Sequence, residues 1–279
     1  MSTRSVAASR SDLQRATGSL SVAVKRRAEA SVLADLRQDG CLKARFPNPD
    51  GWFQAVALNS SGGVAGGDSL DAAFAVGAGA SATFATQAAE RFYRARPVDA
   101  PARLRTHITL AEGASAEWMP QEAILFDGAA LDRRLRVELA QDAWFLGVES
   151  LVFGRTAMGE RVTSLRLADT IRVRRAGRLI LHDAIRLTGD AAAALARPAV
   201  ARGGAAVATL VYVAPDAESR RDELRAAWAD VPAETGASAW DGMLVGRVVA
   251  VDGAALRGAV LAGLAALRAR RPLPRVWQC

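Results

Sequence analysis

The sequence predicts a mainly β protein, built from layered, stacked antiparallel sheets of many short strands, with two helices in its last third. Two observations support this fold class. Apolar residues alternate at period two along many short runs, and turns rich in Gly or Pro separate these runs. In addition, the pattern from Val76 to Gln87 returns from Leu110 to Gln121, with one aromatic residue in each copy. Stacked hairpins would explain this repeat.

The first part of the chain predicts short strands at residues 20–26, 30–37 and 41–46. Gln38-Asp39-Gly40 has the composition of a tight hairpin turn. Residues 1–17 are rich in Ser, Ala and Arg and poor in acids, so we expect a disordered tail there. Residues 18–279 are expected to form a single domain.

A glycine-rich segment follows the apolar run that ends at Leu58. From Gly62 to Ser69 its spacing matches a phosphate-binding loop, but Asp68 stands where such a loop needs a lysine. The next residues alternate as a strand, whereas a phosphate site needs a helix amino end there. We therefore interpret the segment as a shaped loop without a nucleotide, and Gly77-Ala78-Gly79 as a hairpin turn.

Helical spacing appears late in the chain. Residues 217–229 place Leu224 and Trp228 on one side, and residues 254–268 do the same with Leu256 and Leu264. The arginines that end the second helix suit its dipole. Residues 189–206 are rich in Ala and Gly, and we expect a loop there. Further strands are predicted at 163–174, 179–187, 208–213 and 243–251.

Composition limits the classes of function. The net charge is +7 and 34 of 36 basic residues are Arg, but these lie along strand-like runs with few aromatics. Solvated strand faces are favoured over a nucleic-acid surface, and an acidic protein partner stays open. Two cysteines and two histidines support neither a disulfide framework nor a closed metal site, which fits a reducing cytoplasm. No apolar run is long enough to predict a membrane span.

Several blocks resemble the urease accessory protein D family. They are the glycine segment from Leu58 to Asp71, the run from Ala85 to Arg94, the blocks 119–126 and 149–160, and the ending Pro274-Arg275-Val276-Trp277. The block 119–126 departs from the family pattern at Gln121 and Ala123. The residues that match the family motifs are Gly62, Gly63, Gly67, Asp68, Thr86, Gln87, Tyr93, Gly154, Arg155, Gly159 and Glu160.

The resemblance implies a non-catalytic maturation scaffold in the cytoplasm. Its expected partners are the urease apoprotein, accessory protein F and, through F, the urease GTPase, accessory protein G. It would assist GTP-dependent nickel insertion without a tightly bound cofactor, with nickel only in transit. The alternative, argued without the family, is a carbohydrate-acting enzyme that uses paired carboxylates, with Asp68 and Asp71 as first candidates.

Nickel transfer needs oxygen or nitrogen groups that hold the ion weakly, or a wet polar passage. The acids in the resembled blocks are Asp68, Glu122 and Glu149, and we take them as candidate passage residues. Arg133 and Arg155 are equally able to pair with these acids, which would make them structural. For Asp68, bonding to loop amides is the architectural alternative.

Overall fold

Two β-sheets face each other across a buried apolar core, and helices cover the outer face of the second sheet. The computed structural model describes residues 14–47, 51–155, 158–269 and 271–278. Strands dominate these residues, so the predicted mainly β class is confirmed. Of the predicted tail, residues 1–13 lie outside the described residues, and Thr17 already begins the first strand.

The first sheet has seven strands, whose alternating burial follows the period-two pattern of the sequence. From one edge to the other they are β14 (Arg178–Gly189), β13 (Leu165–Arg175), β11 (Ala130–Leu139), β8 (Ala102–Leu110), β5 (Ser69–Val76), β1 (Thr17–Arg27) and β2 (Ala30–Gly40).

The second sheet has ten strands. Eight of them follow one another as β16 (Glu234–Trp240), β17 (Met243–Ala250), β15 (Ala206–Val213), β12 (Trp144–Phe153), β9 (Ser115–Met119), β6 (Ser81–Thr86), β4 (Phe53–Asn59) and β3 (Leu42–Arg45). The other two are β10 (Ala123–Leu125), which pairs with β12, and β7 (Glu90–Phe92), which pairs with β10.

The sheets are mixed rather than antiparallel, because the repeated unit is not a hairpin. After β5 the chain crosses to β6 in the opposite sheet, and β8 to β9 and β11 to β12 cross in the same way. Each unit is thus one strand of the first sheet followed by one strand of the second. Successive units stack in the same direction, so the central strands of both sheets are parallel. The expected hairpin turn at Gly77-Ala78-Gly79 is wrong for this reason. The one at Gln38-Asp39-Gly40 is also wrong, because these residues are the last three of β2 and pair with β1, and the chain passes from there to β3 of the second sheet.

The repeat does place its aromatics on one inner face, as predicted. Phe84 and Trp118 are register partners on adjacent parallel strands. Both are buried between the sheets, and Phe74 of the first sheet lies against both rings, with centroids 4.5 and 5.4 Å away. This packing joins the two sheets at the centre of the core.

Two helices form a third layer on the second sheet. α2 (Arg220–Ala227) and α3 (Gly253–Leu267) agree with the two predicted helices and bury Leu224, Leu256 and Leu264. The expected loop at 189–206 contains a further short helix, α1 (Ala191–Ala196). The Asp190 side chain caps this helix by accepting a hydrogen bond from the Ala193 N–H, a signal that the Ala and Gly content of the segment obscured. In the described part of the chain, no helix is long and apolar enough to cross a membrane.

Candidate functional site

A cluster of charged side chains lies in the core between the two sheets. Arg133 occupies a core-facing position of β11, and its guanidinium donates two hydrogen bonds of 2.8 and 2.7 Å to Asp169 on the adjacent β13. A third nitrogen of Arg133 lies 2.7 Å from a carboxylate oxygen of Glu149, which comes from β12 of the opposite sheet. Trp118 donates its indole N–H to the other oxygen of Glu149 at 2.8 Å. The cluster therefore connects both sheets at the level of the aromatic core.

Burial decides the electrostatics of this cluster. Burial raises the pKa of Glu149 above its ordinary value. The charge of Arg133 opposes this shift, and the charge of Asp169 adds to it. Burial disfavours the charged form of Arg133, but Asp169 and Glu149 outweigh it and hold the pKa of Arg133 above its ordinary value. Two carboxylates share one guanidinium, so full ionisation leaves one negative charge in the core.

Polar side chains continue from this cluster to the open side of the sandwich. Thr209 is the register partner of Glu149 on β15, and Arg247 is the partner of Thr209 on β17. Arg247 donates a hydrogen bond to the Thr209 hydroxyl at 2.9 Å and forms an ion pair with Asp183 of β14 in the opposite sheet. The Asp183 side chain is 14% exposed and that of Arg247 is 45% exposed. A polar row therefore leads from the buried Glu149 to solvent.

Asp68 has a different environment, in the glycine loop. Its residue is 5% exposed, and its two carboxylate oxygens accept hydrogen bonds from the backbone N–H groups of Ala16 and Ala65, each at 2.8 Å. It therefore fixes the loop to the start of β1. Gly67, next to it, has a φ of +88°, a value that glycine adopts without strain.

Three further motif residues, Gly62, Gly63 and Arg155, form a surface around Tyr93. The Tyr93 hydroxyl donates to the Gly62 carbonyl at 3.1 Å, and a Cβ on Gly63 would lie 2.3 Å from the Tyr93 ring. The same ring packs edge-on against Phe126, and the Arg155 guanidinium lies 4.4 Å from the centre of the Phe126 ring. The loop and the block that contains Arg155 thus meet, although they are far apart in sequence.

Glu160 holds Arg155 in place on this surface. One carboxylate oxygen accepts from the backbone N–H and the side-chain Nε of Arg155, and the other accepts from the Asp127 N–H. The bond from Arg155 holds the pKa of Glu160 below its ordinary value. Gly154 has a φ of +82°, and a Cβ there would lie 3.0 Å from the Glu160 carbonyl oxygen, so the turn depends on glycine.

A family model described as UreD urease accessory protein matches residues 16–278. The chain belongs to the UreD family. It is 45% identical over 265 residues to the urease accessory protein UreD of Azorhizobium caulinodans, covering 95% of this chain and 97% of that protein. For the UreD of Dinoroseobacter shibae the identity is 46% over 268 residues, covering 95% and 93%. For the UreD of a Methylobacterium species it is 47% over 253 residues, covering 88% of each.

This UreD chain does not bring the three candidate acids together. Glu122 lies at the α3 side, where one of its carboxylate oxygens is 3.2 Å from Arg257. Asp68 lies in the glycine loop and Glu149 in the core. Within the described ranges no group of three or more His, Cys, Asp or Glu side chains has an arrangement that would hold a metal ion. Of the three acids, Glu149 belongs to the polar row.

Thr86, Gln87 and Gly159 make backbone or loop contacts. The Thr86 hydroxyl accepts the Gln121 N–H at 2.8 Å, and the Gln87 N–H donates to the Ala57 carbonyl at 3.0 Å. Gly159 has a φ of +68° in the turn that leads to Glu160. These motif residues therefore shape the loops of this chain.

The positions of Asp68 and Asp71 argue against the carbohydrate-acting enzyme. Both oxygens of Asp68 accept backbone N–H groups, whereas Asp71 is exposed on the outer face of β5. Acid and base catalysis would need both groups on one cleft. The structure does not bring these two side chains together in that way.

Sequence reasoning missed a second buried network. Glu117, which is 0% exposed, faces the helices and accepts hydrogen bonds from Thr83, Arg268 and Arg271. Burial raises the pKa of Glu117, but the bonds from Arg268 outweigh this and hold it below its ordinary value. Arg268 was expected to serve the helix dipole, yet it is 2% exposed and ion-paired. For Asp169 the available signal was an acid at a core-facing position of its strand. Glu117 had no such signal, because its neighbours Ala116 and Trp118 face the core between the sheets, and alternation then predicts an exposed side chain between them.

Proposed function

We propose that this chain is a non-catalytic maturation scaffold in the cytoplasm. It binds the urease apoprotein and, through accessory protein F, the urease GTPase, so that nickel enters the active site in a GTP-dependent step. Membership of the UreD family supports a role in urease maturation. The observation that carries the nickel part is the polar row that begins at Glu149 and ends at the exposed Arg247.

The chemistry of this row suits a transient cation. Two carboxylates against one guanidinium leave excess negative charge, which attracts a dication into an otherwise apolar core. Both Glu149 oxygens already have partners in Arg133 and Trp118, so the cluster is not a ready set of ligands. Oxygen groups also bind nickel weakly compared with thiolates. Nickel is therefore a transported ion that passes these groups, and not a metal that the chain holds permanently.

We assign the passage role to Glu149 and architectural roles to the other two candidate acids. Asp68 is engaged by two backbone amides and Glu122 by Arg257 of α3. Neither side chain contacts the Glu149 cluster through a hydrogen bond or ion pair among the described residues.

The test is Glu149→Gln in cells that co-express urease with its accessory proteins. Glutamine keeps an acceptor for the Trp118 N–H but removes the charge that faces Arg133. We expect urease purified from these cells to contain less nickel and to have proportionately lower activity. Glu138→Gln is the matched control, because Glu138 lies on the exposed face of β11, and it should leave the nickel content unchanged.

A pull-down separates nickel passage from assembly. The Glu149→Gln chain should still retain urease apoprotein and accessory protein F, since the side chain is buried away from the surface. Normal nickel content with the glutamine variant would refute the passage role. Loss of the complex would show that the cluster acts through stability. Failure of the unmodified chain to retain either partner would refute the scaffold function itself.

A further inference from the structure

The outer face of the first sheet carries a shallow groove with cationic sides, remote from the core cluster. Its volume is about 790 Å³, and its floor consists of small side chains of β1 and β5, namely Ser19, Ser21 and Ala73. Arg37 of β2 stands on one side, and Arg103 of β8 and Arg136 of β11 stand on the other. Small residues between two lines of long basic ones create the concavity.

Cross-strand register concentrates the positive charge. Arg37, Ser21, Ala73, His107, Arg136 and Arg172 form one row across the sheet, each the register partner of the next. Like charges on neighbouring strands destabilise a sheet. Arg136 and Arg172 are directly opposite each other, so this face carries an electrostatic cost that a bound anion would relieve.

Internal acids neutralise only part of the charge. Asp132 pairs with Arg105 at 2.7 Å and with Arg134 at 3.0 Å. Within the described ranges Arg103, Arg136 and Arg172 have no ion pair or side-chain hydrogen bond, and all three are exposed. Arg37 has only a loose contact of 3.7 Å with Asp35, and both side chains are largely exposed.

We propose that this groove binds an extended acidic segment of a partner protein. Guanidinium groups match carboxylates in a planar, two-bond geometry, and a groove that runs along the strands suits an extended chain. The lining of the groove contains no Phe, Tyr or Trp side chain on which a base could stack. Asp71 also lies among the arginines, and its carboxylate is an acceptor that suits the N–H groups of a peptide backbone, which a phosphate backbone lacks. The proposal does not depend on nickel transfer.

The test uses the full-length chain and a fluorescent peptide of about a dozen glutamates in an anisotropy titration. We expect saturable binding that weakens as salt is raised, and no binding of a glutamine peptide of equal length. Arg103→Gln with Arg136→Gln should weaken binding by about five- to tenfold, which corresponds to two ion pairs of ordinary surface strength. Arg161→Gln with Arg197→Gln is the matched control, since both arginines are exposed and outside the groove.

Two comparisons decide whether the acidic segment is the occupant. A single-stranded oligonucleotide of equal length and vesicles with anionic lipid are titrated beside the peptide. Weaker binding of both, together with the loss in the groove variant alone, supports the proposal. Equal or tighter binding of either, equal effects of both double variants, or no binding of the glutamate peptide would overturn it. Unchanged thermal unfolding of the groove variant confirms that the fold is intact, and neither result depends on urease activation.

Discussion

At the residue scale, Asp68 shows how a motif acid can be architectural. Its carboxylate accepts two backbone N–H groups in a nearly buried setting. We expect Asp68→Ala to lower the free energy of unfolding by about 2 to 3 kcal/mol, because two charge-assisted bonds are lost. Asp68→Asn should cost about half as much, since its amide retains one acceptor. Denaturant titration measures both.

The control for Asp68 is Asp71→Ala, three residues further on and exposed, which should change stability by less than about 0.5 kcal/mol. If Asp68→Ala were as stable as the unmodified chain but delivered less nickel to urease, the residue would act on the ion rather than on the loop.

Gly62 and Gly63 are neighbours, but they differ in the space that is free for a side chain. Both have positive φ, at +82° and +141°, but only at Gly63 would a Cβ collide with another residue, the Tyr93 ring. We expect Gly62→Ala to cost about 1 kcal/mol from backbone strain alone. Gly63→Ala should cost about 2 to 3 kcal/mol, because it adds a steric clash to that strain. Equal losses for the two variants in thermal unfolding would argue against the packing of Tyr93 on the loop.

At the scale of elements, one buried acid fastens the C-terminal segment to the second sheet. Glu117 of β9 binds Arg268, which follows α3, and also Arg271, whose guanidinium lies over the rings of Trp52 and Trp144 at 4.1 and 5.0 Å. Glu117→Gln leaves the buried Arg268 charge without its counterion. We expect a loss of about 3 to 5 kcal/mol in denaturant unfolding. A double-mutant cycle with Arg268→Met should show that the two losses are not additive.

The same interaction predicts a pH dependence. Glu117 has a pKa below its ordinary value of 4.5 in the folded chain. Its ion pairs therefore stabilise the fold fully above that ordinary value, and the contribution is lost as the pH falls through the folded-state pKa. Acid unfolding of Glu117→Gln should be shallower than that of the unmodified chain. Identical acid profiles would show that Glu117 does not carry this dependence.

At the scale of the whole molecule, the architecture argues against nucleotide binding by this chain alone. The glycine loop leads into β5, a strand, rather than into a helix whose amino end would face a phosphate, and Asp68 stands at the position of the phosphate-binding lysine. We expect no heat of binding when GTP and magnesium are titrated into the isolated protein. Tight, magnesium-dependent binding would contradict this. The purified urease GTPase serves as the positive control.

The sequence by itself determined the mainly β class, the two later helices and the family, because these depend on local periodicity and on motif spacing. Alternating runs such as β11 show which side of a strand is buried without reference to any partner strand. The repeated aromatic also marked the inner face of the core correctly, since Phe84 and Trp118 occupy equivalent positions of neighbouring units.

Only the tertiary structure decided which strands pair and which charges meet. A glycine-rich turn can close a hairpin or carry the chain to a second sheet, and the packing of the whole core decides between the two. For this reason the sequence predicted that β5 and β6 pair, whereas they lie in opposite sheets. Arg133 meets Glu149 from the opposite sheet, and Glu117 meets Arg268 across 151 positions of sequence. Such contacts leave at most a weak local trace, such as the charge of Arg133 at a core-facing position of β11, because burial and pairing are properties of the folded chain.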